Sequence, residues 1–367
     1  MQRTMTSTIT LDARSSDIPA ARPPRERIAD DRAMLRTAAA CTRDILAHRP
    51  VVYWSDLIAS CVVGYGAMAA AMTLASTGWA IVAGIVSVLA LYRAGSFIHE
   101  LTHFKPSAVP GFHIGWNLLA GIPLLVPSFM YENVHSLHHA RTRYGTSEDP
   151  EYLPLALMKP WTLPLFVIVS MLAPIALLFR YAVLSPLSLV SPTIRKIVRE
   201  RYSSLSINPE FRRRAPEGKA RTDWLWQESA ASVWAIALLA MVATGVIPLK
   251  AFAIGLGIAS GVMVINQVRT LVAHLWENEG ETMSVTAQYL DTVNVPPPAL
   301  LPMLWAPVGL RYHALHHLLP GLPYHALGEA HRRISAALEG ESPYHKASYP
   351  GLPGLVAKIA RSTMVVR

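Results

Sequence analysis

The stretch His99-Glu100-Leu101-Thr102-His103 ends a long apolar segment and decides how the rest of the chain is interpreted. Positions i and i+4 lie on the same face of an α-helix, so a helix here presents the imidazoles of His99 and His103 to one metal ion. Which metal binds, and what Glu100 does, depends on the remainder of the chain.

The composition of the chain is typical of a membrane protein. Only 16% of its 367 residues are charged, against about 25% in soluble domains, and the mean hydropathy is +0.30. Several apolar segments reach the length of about 20 residues that a bilayer-spanning helix needs. We therefore predict an all-α integral membrane protein. The net charge of +9 then indicates basic loops at the cytoplasmic membrane surface rather than a nucleic-acid partner.

Four apolar segments pair into two predicted transmembrane helical hairpins. They occupy residues 56–98 and 230–274, and each pair is interrupted by a short turn. Both hairpins return to the side from which they leave, so His99 and everything after residue 274 lie on one face. The loop 195–221 holds nine Arg or Lys residues against three Glu, and the positive-inside rule makes this face cytoplasmic. We expect a bacterial inner membrane protein with both termini and the histidine clusters in the cytoplasm.

Two further apolar segments are broken by prolines. Segment 115–131 is short for a full crossing, so we predict an interfacial or re-entrant helix there. Segment 161–192 contains four prolines, and both a bent helix pair and interfacial helices remain open. We divide the chain into a flexible cytosolic N-terminal tail (1–48), a transmembrane catalytic domain (49–335) and a cytosolic C-terminal tail (336–367).

Histidines at metal-ligand spacing form three clusters on the predicted cytoplasmic side. The second and third clusters share the spacing His-x-x-His-His, which places three imidazoles on one helical face. A catalytic zinc ion uses three protein ligands, so eight clustered histidines indicate two metal ions and a cytosolic metal cap. Imidazole-rich sites suit iron, zinc, copper or nickel, which leaves the element open. The eight residues are His99, His103, His135, His138, His139, His313, His316 and His317.

A polar pair near the end of the last apolar segment extends this set. His274 follows Asn266 by two helical turns, so the two residues share a face of a predicted helix. Polar residues in membrane helices are costly and usually functional. We predict His274 as a ninth ligand and Asn266 as a residue that supports a ligand by a hydrogen bond, directly or through water. A helix-packing hydrogen bond from Asn266 is the alternative.

The three clusters resemble those of the membrane fatty acid desaturase and hydroxylase superfamily. They read HELTH, HSLHH and HALHH in this order, and the resemblance runs from about residue 54 to residue 333. The stretch 312–320, followed by Pro-Tyr-His at 323–325, is similar to the third box of bacterial acyl-lipid desaturases. The end of the apolar segment at 269–274 resembles the one that supplies an additional histidine ligand in relatives such as alkane monooxygenases.

The resemblance implies two non-haem iron ions held mainly by these histidines, with O2 as co-substrate and an acyl lipid as substrate. A lipid methylene offers no acidic proton and no electrophile, so hydrogen-atom abstraction at a metal is the suitable chemistry. Glu100, Glu132 and Asp149 are candidates to orient ligating imidazoles by hydrogen bonds.

The electrons are expected to come from outside the chain. Cys41 and Cys61 are too few for a fused iron–sulfur domain, and no haem-binding or rubredoxin-like domain accompanies the histidine boxes. A separate carrier such as a ferredoxin must therefore supply the electrons. The basic loop 195–221 could dock an acidic carrier.

The leading prediction is a lipid desaturase that introduces a double bond into an acyl chain. The close alternative is a hydroxylase or monooxygenase of lipids, alkanes or carotenoids, since both reactions begin with the same hydrogen abstraction and diverge through small differences in placement. HELTH also matches the zinc-protease pattern, with Glu100 as general base, but that hypothesis leaves six clustered histidines unused. A metal transporter or sensor would place ligands near the bilayer midplane instead.

Overall fold

Helices dominate the fold, and the part of the chain described here contains no strand. A computed structural model describes residues 28–153, 158 and 161–364. In these ranges five helices are long and apolar enough to cross a membrane, which confirms the all-α membrane class. They are α1 Pro50–Thr73, α2 Thr77–Leu101, α3 Thr162–Val190, α4 Gly218–Ala243 and α5 Leu249–Ala273. The side of the membrane on which each loop lies stays a prediction.

Shorter helices connect these five and build the region around the histidine clusters. The α-helices are Arg32–Ala40, Phe112–Trp116, His135–His138, Pro192–Arg201, Val285–Asp291, Pro302–Trp305, His313–Leu318, Leu327–Ala337 and Leu352–Met364. The 3-10 helices are Arg43–Ile45, Ser128–Met130, Tyr324–Ala326 and Pro343–Ala347. Wider π turns occupy Asn117–Gly121 and Arg180–Leu184. Segment 115–131 thus holds only short pieces, none of them long enough to cross a bilayer.

The first predicted hairpin is a closely packed pair of helices. A Cβ atom added at Gly64 of α1 would lie 2.6 Å from Leu91 Cδ2 and 3.2 Å from the Leu91 backbone nitrogen, so glycine permits the close approach of α2. Ser87 Oγ of α2 donates a hydrogen bond to Gly64 O at 2.9 Å. Arg93 and Asp56 form a two-pronged ion pair between the same helices, at 2.7 Å and 2.5 Å. This pairing offsets the cost of placing charges in membrane helices.

The two helices of the second predicted hairpin, α4 and α5, pack mainly on other helices and not on each other. α4 and α5 are joined by residues 244–248, but α5 packs mainly along α2 and α3, whereas α4 packs on the C-terminal part of α3. Gly261 of α5 faces Val88 of α2, where an added Cβ atom would lie 2.9 Å from Val88 Cγ2. α5 therefore runs beside α2, and its C-terminal end lies close to the end of α2 that carries His99.

The segment that the sequence left open is one long helix, α3, and not a pair of helices; whether α3 crosses the bilayer or lies at its interface stays a prediction. Pro174 lies inside it, and a π turn begins at Arg180. The buried Arg180 guanidinium donates to Glu228 of α4 at 2.8 Å, which fixes the second half of α3 against α4. The amphipathic helix Pro192–Arg201 follows directly.

Both predicted tails pack on the rest of the protein along part of their length. Met34 of the N-terminal tail is fully buried in a cluster with Ile334. Leu355 of the C-terminal tail is buried beside Leu271 at the end of α5. The predicted domain boundaries stay predictions, and residues 1–27 of the N-terminal tail lie outside the described residues.

Candidate metal centre

The nine histidines predicted as ligands converge into two neighbouring groups. Within each group the potential ligand atoms all lie within 4.8 Å of one another. The first group consists of His99, His103, His135, His139 and His316, and the second of His138, His274, His313 and His317. Each group draws on segments that are far apart in the sequence, so the fold and not local spacing alone creates it.

Helical spacing divides the second and third boxes between the two groups. His135 and His139, four residues apart, enter the first group, while His138 enters the second. The third box does the reverse, since His313 and His317 enter the second group and His316 enters the first. Residues i and i+4 share a helical face, and the remaining histidine of each box reaches the other group.

The imidazoles in each group face one another through their Nε2 atoms. The Nε2–Nε2 distances are 2.9 Å for His135–His139, 3.2 Å for His139–His316, 3.1 Å for His274–His313 and 3.2 Å for His313–His317. Two nitrogens bound about 2.1 Å from one metal ion are about 3.0–3.4 Å apart in octahedral or tetrahedral geometry. The spacing in each group therefore fits one metal ion.

Some buried imidazole nitrogens have no hydrogen-bond partner among the described residues. Neither ring nitrogen of His99, a residue only 4% exposed, has one, and Nε2 of His103 also lacks one. Leaving a buried polar atom unpaired costs about 1–3 kcal/mol, so these nitrogens need a partner. A metal ion between the rings would supply a partner for one nitrogen of each.

Burial favours the neutral form of these imidazoles, which is the form that binds metals. Desolvation lowers the pKa of His103 to about 3. His138 differs, because burial alone would lower its pKa but the neighbouring Asp149 carboxylate raises it. Desolvation, with the charges of neighbouring imidazoles, lowers the pKa well below its usual range for His135, His139, His274, His313, His316 and His317.

Asp149, predicted to orient a ligand, is fully buried against His138. Its two carboxylate oxygens lie 3.0 Å and 2.9 Å from His138 Nδ1. The backbone N–H groups of Gly145 and Glu151 each donate to the same carboxylate at 2.8 Å. A carboxylate on Nδ1 holds the proton there and leaves Nε2 free for a metal.

Two further carboxylates, which were not among the predicted residues, support Nδ1 atoms of clustered histidines, one directly and one through a tyrosine. Glu151 Oε1 lies 2.8 Å from His135 Nδ1. Asp291 acts through Tyr144, whose hydroxyl donates to Asp291 at 2.8 Å and lies 2.9 Å from His274 Nδ1. Burial raises the pKa of both Glu151 and Asp291 to about 7.

These two carboxylates differ in the signal that the sequence carries. Glu151 had one, as the second acid of Asp149-Pro150-Glu151. Asp291 had none, since it lies outside every histidine box and contacts a tyrosine, not a ligand.

Glu100 does not contact a clustered histidine in any hydrogen bond of the described residues. Its Oε2 atom accepts from the Tyr53 hydroxyl at 2.6 Å and from the Tyr324 backbone N–H at 3.1 Å. Successive helical residues are rotated by about 100°, so Glu100 points toward α1 when His99 points into the first group. The Glu100 side chain thus links α2 to α1 and to the segment around Tyr324, and does not orient a clustered histidine.

Glu132 and Asn266 form no hydrogen bond with a clustered histidine among the described residues. Glu132 accepts from Ser128 Oγ at 2.6 Å, and Asn266 accepts from Arg269 at 3.5 Å. The helical face that Asn266 and His274 were expected to share does not exist, because α5 ends at Ala273 and His274 is in extended conformation. His274 reaches the second group from that extended segment.

Comparison with known proteins finds a matching family and a similar relative. A family model described as fatty acid desaturase matches residues 77–349, which include all nine histidines. The ceramide hydroxylase of Caulobacter vibrioides (strain NA1000 / CB15N) is 47% identical over 326 residues, or 89% of this chain and 93% of that protein. No solved structure gives a significant match. The chain belongs to the fatty acid desaturase family.

Proposed function

We propose that this protein is a di-iron lipid hydroxylase of the membrane, and that its substrate is a ceramide-type lipid. Family membership supports an oxidoreductase that acts on an acyl lipid in a membrane. The observation that carries hydroxylation is the 47% identity to a ceramide hydroxylase across nearly the whole of both chains. The leading prediction, desaturation, therefore gives way to its hydroxylase alternative. The protease and transporter hypotheses receive no support.

The nine imidazoles would hold two metal ions, one in each group. When bound, a pair of iron ions with O2 and two electrons supplies the hydrogen abstraction and oxygen transfer that an unactivated C–H bond needs. The overall balance converts one C–H group, O2, two electrons and two protons into C–OH and water.

The surrounding residues orient the ligands and keep bulk water away. Asp149, Glu151 and the Tyr144–Asp291 pair fix ring orientation through Nδ1 atoms. Seven of the nine histidines are buried and the other two partly so, which limits side reactions with water. Because His99 lies in the last turn of α2, the centre lies where a membrane helix ends, within reach of a substrate that stays in the bilayer.

Lipid analysis tests the proposed reaction. Expression in cells that make ceramide-type lipids should yield species heavier by one oxygen atom, and the label from isotopic O2 should appear in them. The variant His316→Ala is the inactive control, because it lacks a ligand of the first group. Species lighter by two hydrogen atoms would contradict hydroxylation and support the desaturase prediction instead. A change confined to glycerolipids would contradict the proposed substrate.

A separate electron carrier such as a ferredoxin remains part of the proposal, with docking on the basic loop 195–221 and the metal centre on the cytoplasmic side of a bacterial inner membrane. Within this loop Arg213 is buried, donates to Glu132 O at 2.9 Å and lies over the Trp224 ring at 4.4 Å. Its charge therefore belongs to the fold, while Arg212 and Arg214 are exposed. Docking should depend on the exposed pair.

Charge reversal tests this docking. Arg212→Glu with Arg214→Glu is expected to slow reduction by an acidic carrier by about tenfold or more at low salt, with a smaller effect at high salt, because charge steers association. Arg332→Glu with Arg361→Glu changes the net charge equally on other exposed surface and should leave the rate close to wild type. Equal rates in both double variants, measured by rapid-mixing reduction, would rule out docking on this loop.

A further inference from the structure

The loop between the last two ligand-bearing segments carries an exposed apolar patch. Residues 295–310 include five prolines and no charged residue. Within this loop Leu300, Leu301, Met303 and Leu304 are 75%, 70%, 61% and 49% exposed. Isolated apolar residues are ordinary on a protein surface, but four within five positions form a continuous patch that calls for a partner.

Both ends of the loop are fixed beside the metal centre. Val295 N donates to Arg311 O at 2.7 Å, and the Arg311 guanidinium donates back to Val295 O and Ala299 O, each at 2.8 Å. Ala314 N, next to His313, donates to Val293 O at 3.1 Å. The loop is therefore an excursion that leaves the ligand region and returns to it.

The excursion runs along the membrane helices. Trp305 O accepts a hydrogen bond from the Tyr92 hydroxyl of α2 at 3.0 Å, and the helix Pro302–Trp305 packs on both α2 and α5. Tyr92 precedes His99 by seven residues, which is about 10 Å along a helix. The loop thus descends from the metal centre to the level of the apolar part of α2.

The backbone of the loop suits an apolar environment. Prolines lack the N–H group that hydrocarbon cannot satisfy. Met303 N and Leu304 N donate to Leu300 O and Leu301 O at 3.1 Å and 2.9 Å, so these donors are paired within the loop itself. Four of the nine residues 296–304 are prolines, and two of the five remaining N–H groups are paired, so the loop presents fewer free donors to lipid than a proline-free loop would.

We propose that residues 296–304 insert into the acyl-chain region of the bilayer and anchor the third histidine box to the membrane. The patch continues the lipid-facing surface of α2 and α5, on which the loop packs, and it carries no charge that insertion would have to desolvate. This inference concerns the membrane contact and holds whether the reaction is hydroxylation or desaturation.

Spin labels test the insertion in the full chain. The chain carries Cys41→Ser, which leaves the buried Cys61 as its remaining native thiol, and is reconstituted in phosphatidylcholine vesicles. Leu301→Cys and Met303→Cys each carry the label. Labels at Ile81→Cys on exposed α2 surface and at Arg332→Cys on exposed polar surface provide the lipid and water references.

Collisions with O2, which concentrates in lipid, and with a water-soluble nickel complex are then compared. At both loop positions the ratio of O2 to nickel collisions is expected to exceed that at Arg332→Cys severalfold and to approach that at Ile81→Cys. A ratio at both positions equal to that at Arg332→Cys would overturn the inference and leave the patch to a soluble partner or a second copy. Two positions guard against one variant that does not fold.

Discussion

Removing one histidine from either group is expected to cost one of the two bound metal ions and to abolish lipid oxidation. His103→Ala removes a predicted ligand of the first group, and His317→Ala removes a predicted ligand of the second. Each variant should retain about one iron ion per chain, because the other group keeps all of its imidazoles. Loss of a hydrogen bond that supports a ligand can lower activity by about 100-fold. Loss of a ligand should lower activity further, since the proposed reaction needs both ions.

Metal analysis of purified protein, paired with lipid analysis of the producing cells, measures this. His48→Ala is the matched control, because His48 lies outside both groups, and it should retain two iron ions and full activity. Two outcomes would contradict the expectation. Wild-type protein that holds one zinc ion and no iron would contradict the di-iron proposal. A full metal content in both histidine variants would contradict the assignment of these histidines as ligands.

The sequence indicated the members of the two groups but not how they divide. Spacing of i, i+3 and i+4 singles out histidines that a short helix presents together, which is a local property. Helical spacing explains why His138 parts from His135 and His139, but which histidines of the other segments complete each group depends on how four segments pack. The nine residues were therefore predictable as candidates, while the division into five and four required the fold.

Residues that support the predicted ligands were harder to predict, because their contacts also depend on how distant segments pack. Asp149 lies close to its box in the sequence, and the structure places it on His138. Asp291 acts on His274 through Tyr144, and this chain of contacts joins three distant segments. Glu100 shows the converse, because its neighbour His99 is a predicted ligand while the helix turns Glu100 away toward Tyr53.

The apolar segments were sufficient to predict the fold class, but they did not predict how the helices pair. Length and hydropathy identify spanning helices, because the bilayer sets both. The packing of α5 on α2 and α3 depends on small residues such as Gly261, whose effect appears only when the opposing side chain is known. Segment 161–192 was ambiguous because Pro174 suggests a break, yet the helix continues through it.

Asp149→Asn is expected to lower metal affinity or activity by about 10–100-fold while leaving the protein folded. The substitution preserves the shape of the side chain but removes the charge that holds the Nδ1 proton of His138. Asparagine Oδ1 can still accept from the backbone N–H of Gly145 or Glu151, so part of the local hydrogen bonding survives. Metal content and turnover are measured on the same preparation, and excess iron should restore part of the activity.

Two matched variants separate this role from a general effect of removing acids. Glu148→Gln changes the neighbouring residue, whose side chain is 69% exposed, and should behave as wild type. Glu100→Gln lies beside a predicted ligand in sequence but contacts Tyr53 and Tyr324, so it should retain both ions and weaken activity only modestly. If Glu100→Gln lost metal as Asp149→Asn does, Glu100 would have to be counted among the groups that hold the ions. If Asp149→Asn kept full metal content and full activity, the Asp149–His138 contact would serve packing alone.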